Sequence, residues 1–205
     1  MPCFFRFFWD QRLLFLGQNG LNFKNAKDVI HATTIATNTI LEAKGAETAL
    51  ITTCGFRDVL EFRRVRFPEL YNLQYAKPKP LIERRKRFEI KERISAKGLI
   101  KVPLNEKEVK ILGKIIRKEN VKSVAICFLH SYLNPIHEIR TKEIISAMLP
   151  KDTFISTSYE VLPEIREYER TSTTVINAYL GPVIKNYLSS FRWSFKYFKP
   201  QRITP

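Results

Sequence analysis

DVIHATTIATNTILEAKGAETALITTCGFRDVLEF, residues 28–62, decides the fold class. Val29 and Ile30 make a short apolar strand, His31 to Thr34 a polar turn, and a helix follows. Thr34 suits the helix cap, because its hydroxyl accepts a hydrogen bond from a first-turn N–H that has no helical partner. Ala36, Ile40 and Ala43 fall at i, i+4 and i+7, which gives that helix one apolar face. Gly45 suits the left-handed position that closes a helix. Thr48 to Thr52 then carries Ala49-Leu50-Ile51, the kind of run found in a strand covered on both faces. The stretch therefore predicts a βαβ unit with a His/Thr turn at a helix N-terminus, the edge where open α/β sheets bind ligands and where free N–H groups favour an anion.

Working outward, Gly55 to Leu60 reads as a turn into a short helix. Pro68, Pro78 and Pro80 mark loops around Tyr71 and Tyr75. Arg87–Ile90 and Leu99–Val102 read as two strands of a hairpin joined through Ala96-Lys97-Gly98. Asn105 caps a helix with Glu106 and Glu108 in its first turn and Val109, Leu112 and Ile116 along one face. Val124 to Leu129 is a buried strand, Asn134-Pro135 starts a helix that Pro150 stops, and Phe154-Ile155-Ser156 is another strand. Pro163 opens a last helix, expected to be interrupted at Gly181-Pro182.

Three segments carry a family resemblance: HATTIATNTILEAKGAETALITTCGFRDVLEF, then Ala125 to Tyr132 with Asn134-Pro135 and His137-Glu138, then SYEVLPEIREYERTSTTVINAYLGPV from Ser158 to Val183. Together they resemble the hydantoinase A / 5-oxoprolinase family, which also contains the acetone carboxylase β-subunit. Ala32 stands where the family has glycine. The resemblance implies an α/β fold with a mixed sheet and flanking helices, part of an actin-like ATPase (ribonuclease-H-like) lobe, incomplete at its N-terminal edge. It covers roughly Asp28 to Leu188 and suggests a domain over residues 17–188. Residues 1–16 and 189–205 are then divergent aromatic tails, the second basic as well. The implied activity is ATP-driven opening of a cyclic amide such as hydantoin or 5-oxoproline, with Mg. The implied partners are the remainder of a hydantoinase A-type subunit and a hydantoinase B-type subunit.

That family expects two Asp/Gly/Thr-rich phosphate loops. Here the seven glycines are never adjacent, and no G-x-x-x-x-G-K-[ST] loop exists. ATP and Mg are therefore not expected to bind this chain well, and the chain is expected to be inactive alone.

Composition sets the competing hypothesis. Lys+Arg 35 against Asp+Glu 20 gives a formal net charge of +15 over 205 residues. With the aromatic tails, this suits a binding module for nucleic acid or an anionic surface. The basic residues are spread along the chain, with clusters at Arg63-Arg64 and Arg84 to Arg87, so a solvated surface is the favoured alternative. Cys3, Cys54 and Cys127 have no C-x-x-C spacing, which argues against zinc and disulfides and for a reducing, cytoplasmic setting. No run approaches the roughly 20 apolar residues that span a bilayer, so no membrane partner is expected.

The candidate substrate or phosphate contacts are His31, Thr33, Thr34 and Asn38, set against a plain capped helix. His130, Ser131 and His137 follow a strand at the ligand-binding edge, but their spacing makes a weak metal set, and satisfied structural histidines are the favoured alternative. Arg166, Glu167 and Arg170 are candidates for a site or subunit contact. On spacing alone Glu167 and Arg170, like Arg166 and Glu169, would pair at i, i+3 on one helix face.

Overall fold

The computed structural model describes residues 33–64, 74 and 79–196, with side chains through Ser190. The chain parts into two compact units, residues 1–34 with 191–205, and residues 35–190. Thr33 and Thr34 are the described side chains of the first, and both are exposed. The Val29-Ile30 strand, His31 and the aromatic tails lie outside the described residues or side chains.

The second unit begins with helix α1 (Ile35–Leu41) and strand β1 (Thr48–Thr53), every residue of which is buried. A four-residue helix α2 (Val59–Phe62) follows. Next come β2 (Arg87–Ile90), β3 (Arg93–Ile94) and β4 (Ile100–Val102). The order continues with α3 (Glu106–Lys118), β5 (Ser123–Cys127), α4 (Ile136–Met148) and β6 (Phe154–Thr157). Helices α5 (Ser158–Val161) and α6 (Glu167–Lys196, of which residues 167–190 belong to this unit) follow. The main sheet runs β2-β1-β5-β6 and its pairs are all parallel, while β3 and β4 form a separate antiparallel pair.

Alternation along the strands builds two cores. Ala49 and Ile51 of β1 join Val124 and Ile126 of β5 against Val109, Leu112 and Ile116 of α3 and Ile145 of α4. Leu50, Ala125 and Cys127 face the other way, onto Val175 and Ala178 of α6. Each fully buried Val, Leu or Ile among them contributes about 1.5–3 kcal/mol by leaving water. The sheet is thus covered on both faces, as its continuous apolar runs require.

Four expectations need correcting. Arg87–Ile90 is not half of a hairpin but an edge strand of the parallel sheet, in register Leu50↔Arg87 to Thr53↔Ile90 with β1. The hairpin is β3–β4, and its inner strand is the two-residue Arg93–Ile94 segment, too short to read from alternation. Helix α1 buries Thr39 rather than the Ala36, Ile40, Ala43 stripe, and Ala43 lies beyond the helix end. Ala43 takes the left-handed conformation at φ 51, so Gly45 serves a different purpose. A Cβ on Gly45 would stand 2.0 Å from Cε1 of Tyr179, whose carbonyl accepts the Ala46 N–H at 2.9 Å.

Gly181-Pro182 does not interrupt the last helix, which runs on with Pro182 inside it. Gly181 admits the Phe154 ring, whose Cε1 would lie 2.4 Å from an added Cβ. Packing of α6 against β6 across that close approach outweighs the local cost of proline. Gly45→Ala should destabilise the fold by about 1–3 kcal/mol, the usual cost of forcing a methyl into a packed core. Chemical denaturation of the two proteins would check it, and equal midpoints would contradict the close contact.

Candidate functional site

The strand order reverses at β1: the chain adds β2 on one side of it, then β5 and β6 on the other. The crevice at the carboxyl ends of β1 and β5 is therefore the place where an open α/β sheet positions chemistry. Side chains of the protein itself fill it.

Two buried carboxylates organise the edge. Glu92, just past β2, accepts from the Thr53 hydroxyl and from Nδ1 of His137 at 2.7 Å. Thr53 Oγ1 in turn accepts the Leu129 N–H at 3.0 Å. A carboxylate acceptor beside Nδ1 holds the proton of that ring nitrogen. Glu138, in the first turn of α4, accepts from Phe128 N at 2.8 Å, Ser158 Oγ at 2.6 Å and Tyr159 N at 3.1 Å. Burial pushes its carboxyl above the ordinary value, against the pull of those three donors. Ser131 extends the network to Ser158 at 2.9 Å.

Arg170 lies beside this network. It is 1% exposed, its Nη2 donates to the Phe128 carbonyl at 2.8 Å, and its guanidinium stacks 5.4 Å from the Tyr132 ring centroid. Its Nε has no hydrogen-bond partner. Cys127, bonded to Thr171 Oγ1 at 3.2 Å, has its thiol pushed up by burial and by the charge of Glu138, with Arg170 opposing. His130 bends the chain out of β5 at φ 55 and brings its Nδ1 within 3.4 Å of the Tyr132 hydroxyl.

The sequence candidates separate in space and in role. Thr33, Thr34 and Asn38 are exposed. Arg166 is exposed at φ 87, Glu167 is half-buried, and Arg170 is buried. The i, i+3 pairing expected on α6 gives way to longer-range partners. Glu169 pairs with Arg64, and Arg170 turns inward to backbone carbonyls. His137 is satisfied by Glu92, as the structural alternative had it. Sequence reasoning passed over Glu92, Thr53 and Ser158 and gave Glu138 no role. A signal for Glu138 existed: it shares the inward stripe of α4 with Thr141 and Ile145, where a carboxylate needs partners.

The basic clusters are largely engaged too. Arg84 pairs with Asp58 at 2.9 Å and holds that carboxyl below its ordinary range. Arg85 pairs with Glu83, and Arg87 is buried with Nε and Nη2 on the Ile82 carbonyl.

Against this geometry, a family model described as hydantoinase/oxoprolinase N-terminal region matches residues 14–149, more than half of the chain. The chain belongs to the hydantoinase/oxoprolinase family. It is 51% identical over 179 residues to an uncharacterized protein of Methanocaldococcus jannaschii, covering 86% of this chain and 26% of that protein. It is 37% identical over 177 residues to caprolactamase subunit alpha of Pseudomonas jessenii, covering 85% of this chain and 25% of that subunit. The crystal structure of the ATP-dependent caprolactamase from the same organism superposes with a TM-score of 0.77 at 38% identity, over 82% of this chain and 24% of that one. The nucleotide-free acetone carboxylase structure, 23% identical over 88% of this chain and 28% of that one, shares the fold with a TM-score of 0.79. This family member therefore spans about a quarter of the length of these relatives.

The resemblance read from the sequence implies ATP and Mg, and the described residues do not fit a phosphate cradle at the sheet edge. The amides of Phe128, Leu129 and Tyr159, which would face an anion there, are already bonded to Glu138 and Thr53. Among the described residues no group of three or more His, Cys, Asp and Glu side chains is placed to hold a metal ion. Among the same residues, no helix is long and apolar enough to cross a membrane.

Proposed function

We propose that this chain is part of a hydantoinase A / 5-oxoprolinase-type enzyme that opens a cyclic amide with ATP, and that it turns over no substrate alone. The observation that carries the proposal is its likeness to the ATP-dependent caprolactamase, 38% identical over 82% of this chain. The chain's own residues supply a closed, internally bonded scaffold at the sheet edge. The contacts to nucleotide and Mg are assigned to the remainder of an A-type subunit, and a B-type subunit is the further partner. His31, Thr33, Thr34 and Asn38 are the positions proposed to face a substrate or phosphate group, and Arg166 and Glu167 to face another subunit. The cytoplasm is the proposed compartment, consistent with cysteines lacking any paired spacing.

The pure chain with ATP, Mg and hydantoin, 5-oxoproline or caprolactam is expected to release no phosphate above the substrate-free background. Substrate-dependent release would overturn the claim of inactivity. Residues 28–188, exchanged for the matching region of the caprolactamase alpha subunit, are expected to preserve ATP-dependent lactam opening. A folded but inactive chimera would count against the assignment.

A further inference from the structure

Among the described residues, the β3–β4 hairpin has an unpaired edge. Among the described residues β4 pairs with β3 alone, so its outer row of backbone N–H and C=O groups faces outward. Inward, Ile94 of β3 is fully buried. Outward, Leu99, Ile100 and Val102 are exposed at 66, 49 and 44%. The hairpin turn is fastened to the start of α4, where Asn134 Nδ2 donates to the Gly98 carbonyl at 2.9 Å. An added Cβ on Gly98 would lie 3.7 Å from that of Leu133, itself half exposed, so the apolar edge continues onto the next loop.

An exposed apolar strand edge is a template for another strand. The charges decide which one. Lys91, Arg93, Lys97 and Lys101 carry the charge of this segment that reaches solvent. Its one carboxylate, Glu92, is buried and spent on Thr53 and His137. Lys101 sits between Ile100 and Val102 on the edge itself. A second copy of the chain would bring the same lysines edge to edge, and like charges across paired strands are destabilising. With a net charge of +15, the whole chain repels its own kind as well.

We infer that the β4 edge is a docking site for an extended segment of a partner protein in which apolar residues alternate with Asp or Glu. That segment continues the β3–β4 sheet by one strand. Its apolar side chains cover Leu99, Ile100, Val102 and Leu133, and its carboxylates meet Lys97 and Lys101. The inference goes beyond the proposed function and is independent of which amide, if any, the complete enzyme opens.

The probe is a short synthetic peptide alternating Ile with Glu, titrated into the full chain at low salt. Saturable binding is expected, with shifted and exchange-protected amides at Ile100 to Val102. Lys101→Glu is expected to weaken it by about tenfold and to transfer the preference to a peptide alternating Ile with Lys, since a rim charge sets partner choice. Ile100→Thr keeps the strand propensity and is expected to weaken binding by removing apolar contact. Thermal melts of both variants matching the parent would show that the hairpin remains folded. Absence of saturable binding would overturn the inference, and so would equal affinity for the Ile/Glu and Ile/Lys peptides. Self-association through the same amides, or their capture by a thymidine oligonucleotide instead of the peptide, would also overturn it.

Discussion

Glu138→Ala should cost the fold on the order of 3–5 kcal/mol, because it strands several buried donors at once. The Phe128 amide at the end of β5 and the Ser158 hydroxyl and Tyr159 amide at the start of α5 all converge on this one side chain. Water does not reach the site, as Glu138 is 0% exposed and Ser158 0% exposed, so no solvent partner replaces the lost acceptor. Urea unfolding would show the loss as a lower midpoint, and a change below about 1 kcal/mol would mean the network contributes little. Glu138→Gln provides the sharper test. The amide keeps the shape but turns two N–H donors toward groups that also donate, so a loss of about 1–3 kcal/mol is expected. Its pH dependence has a definite sign. Burial holds the folded carboxyl above its ordinary 4.5, so between that value and the folded one the native state binds more proton than the unfolded chain. The contribution of Glu138 to stability is thus full below 4.5 and declines as pH rises through the folded value. The Gln variant lacks this slope, and its deficit relative to the parent should shrink across that window. A deficit that grows with pH there would reverse the assigned direction.

Arg170→Met should cost about 1–3 kcal/mol, the usual range when a buried polar group loses its hydrogen-bond donor. Arg170 is 1% exposed and its donors turn to backbone carbonyls of Phe128 and Glu164. The substitution fills most of the volume, so the loss reports charge and hydrogen bonding rather than a cavity. It leaves the Phe128 carbonyl without its 2.8 Å donor. Arg170→Lys should recover only part of the stability, since a single ammonium does not reproduce a planar donor stacked on Tyr132. Equilibrium unfolding of the three proteins decides it. Full recovery by lysine would show that charge alone matters, and a near-neutral Arg170→Met would show that the bond to the Phe128 carbonyl contributes little.

Much of the framework was legible because local chemistry and the final environment agree. Asn105 caps α3, accepting the Glu108 N–H at 3.3 Å, and Val109, Leu112 and Ile116 form the buried stripe that their spacing predicts. The run Ala49-Leu50-Ile51 is a strand buried on both faces. Cys127 is the small buried hydrophobe that its apolar strand suggests. The candidate site was less legible. Spacing alone put Arg170 in a surface pair with Glu167, whereas a sheet edge that needed donors drew it inward. Glu92 and Thr53 lie thirty-nine positions apart in the chain and meet only because β1 and β2 are neighbours in parallel.

The sequence by itself determined the α/β class, the positions of β1, α3, β5, α4 and β6, and the family, because those signals are periodicities, caps and long ordered matches contained in contiguous residues. Tertiary structure alone decided that Arg87–Ile90 joins the parallel sheet and that α6 runs through Pro182. It also decided that Gly45 and Gly181 exist to admit the rings of Tyr179 and Phe154. The closing of the sheet edge by Glu92 and Glu138 belongs to the same group. Each of these turns on what a distant segment places against the residue. A strand edge, a ring or a buried donor supplies more free energy than the local preference it overrides, and no contiguous stretch of sequence contains it.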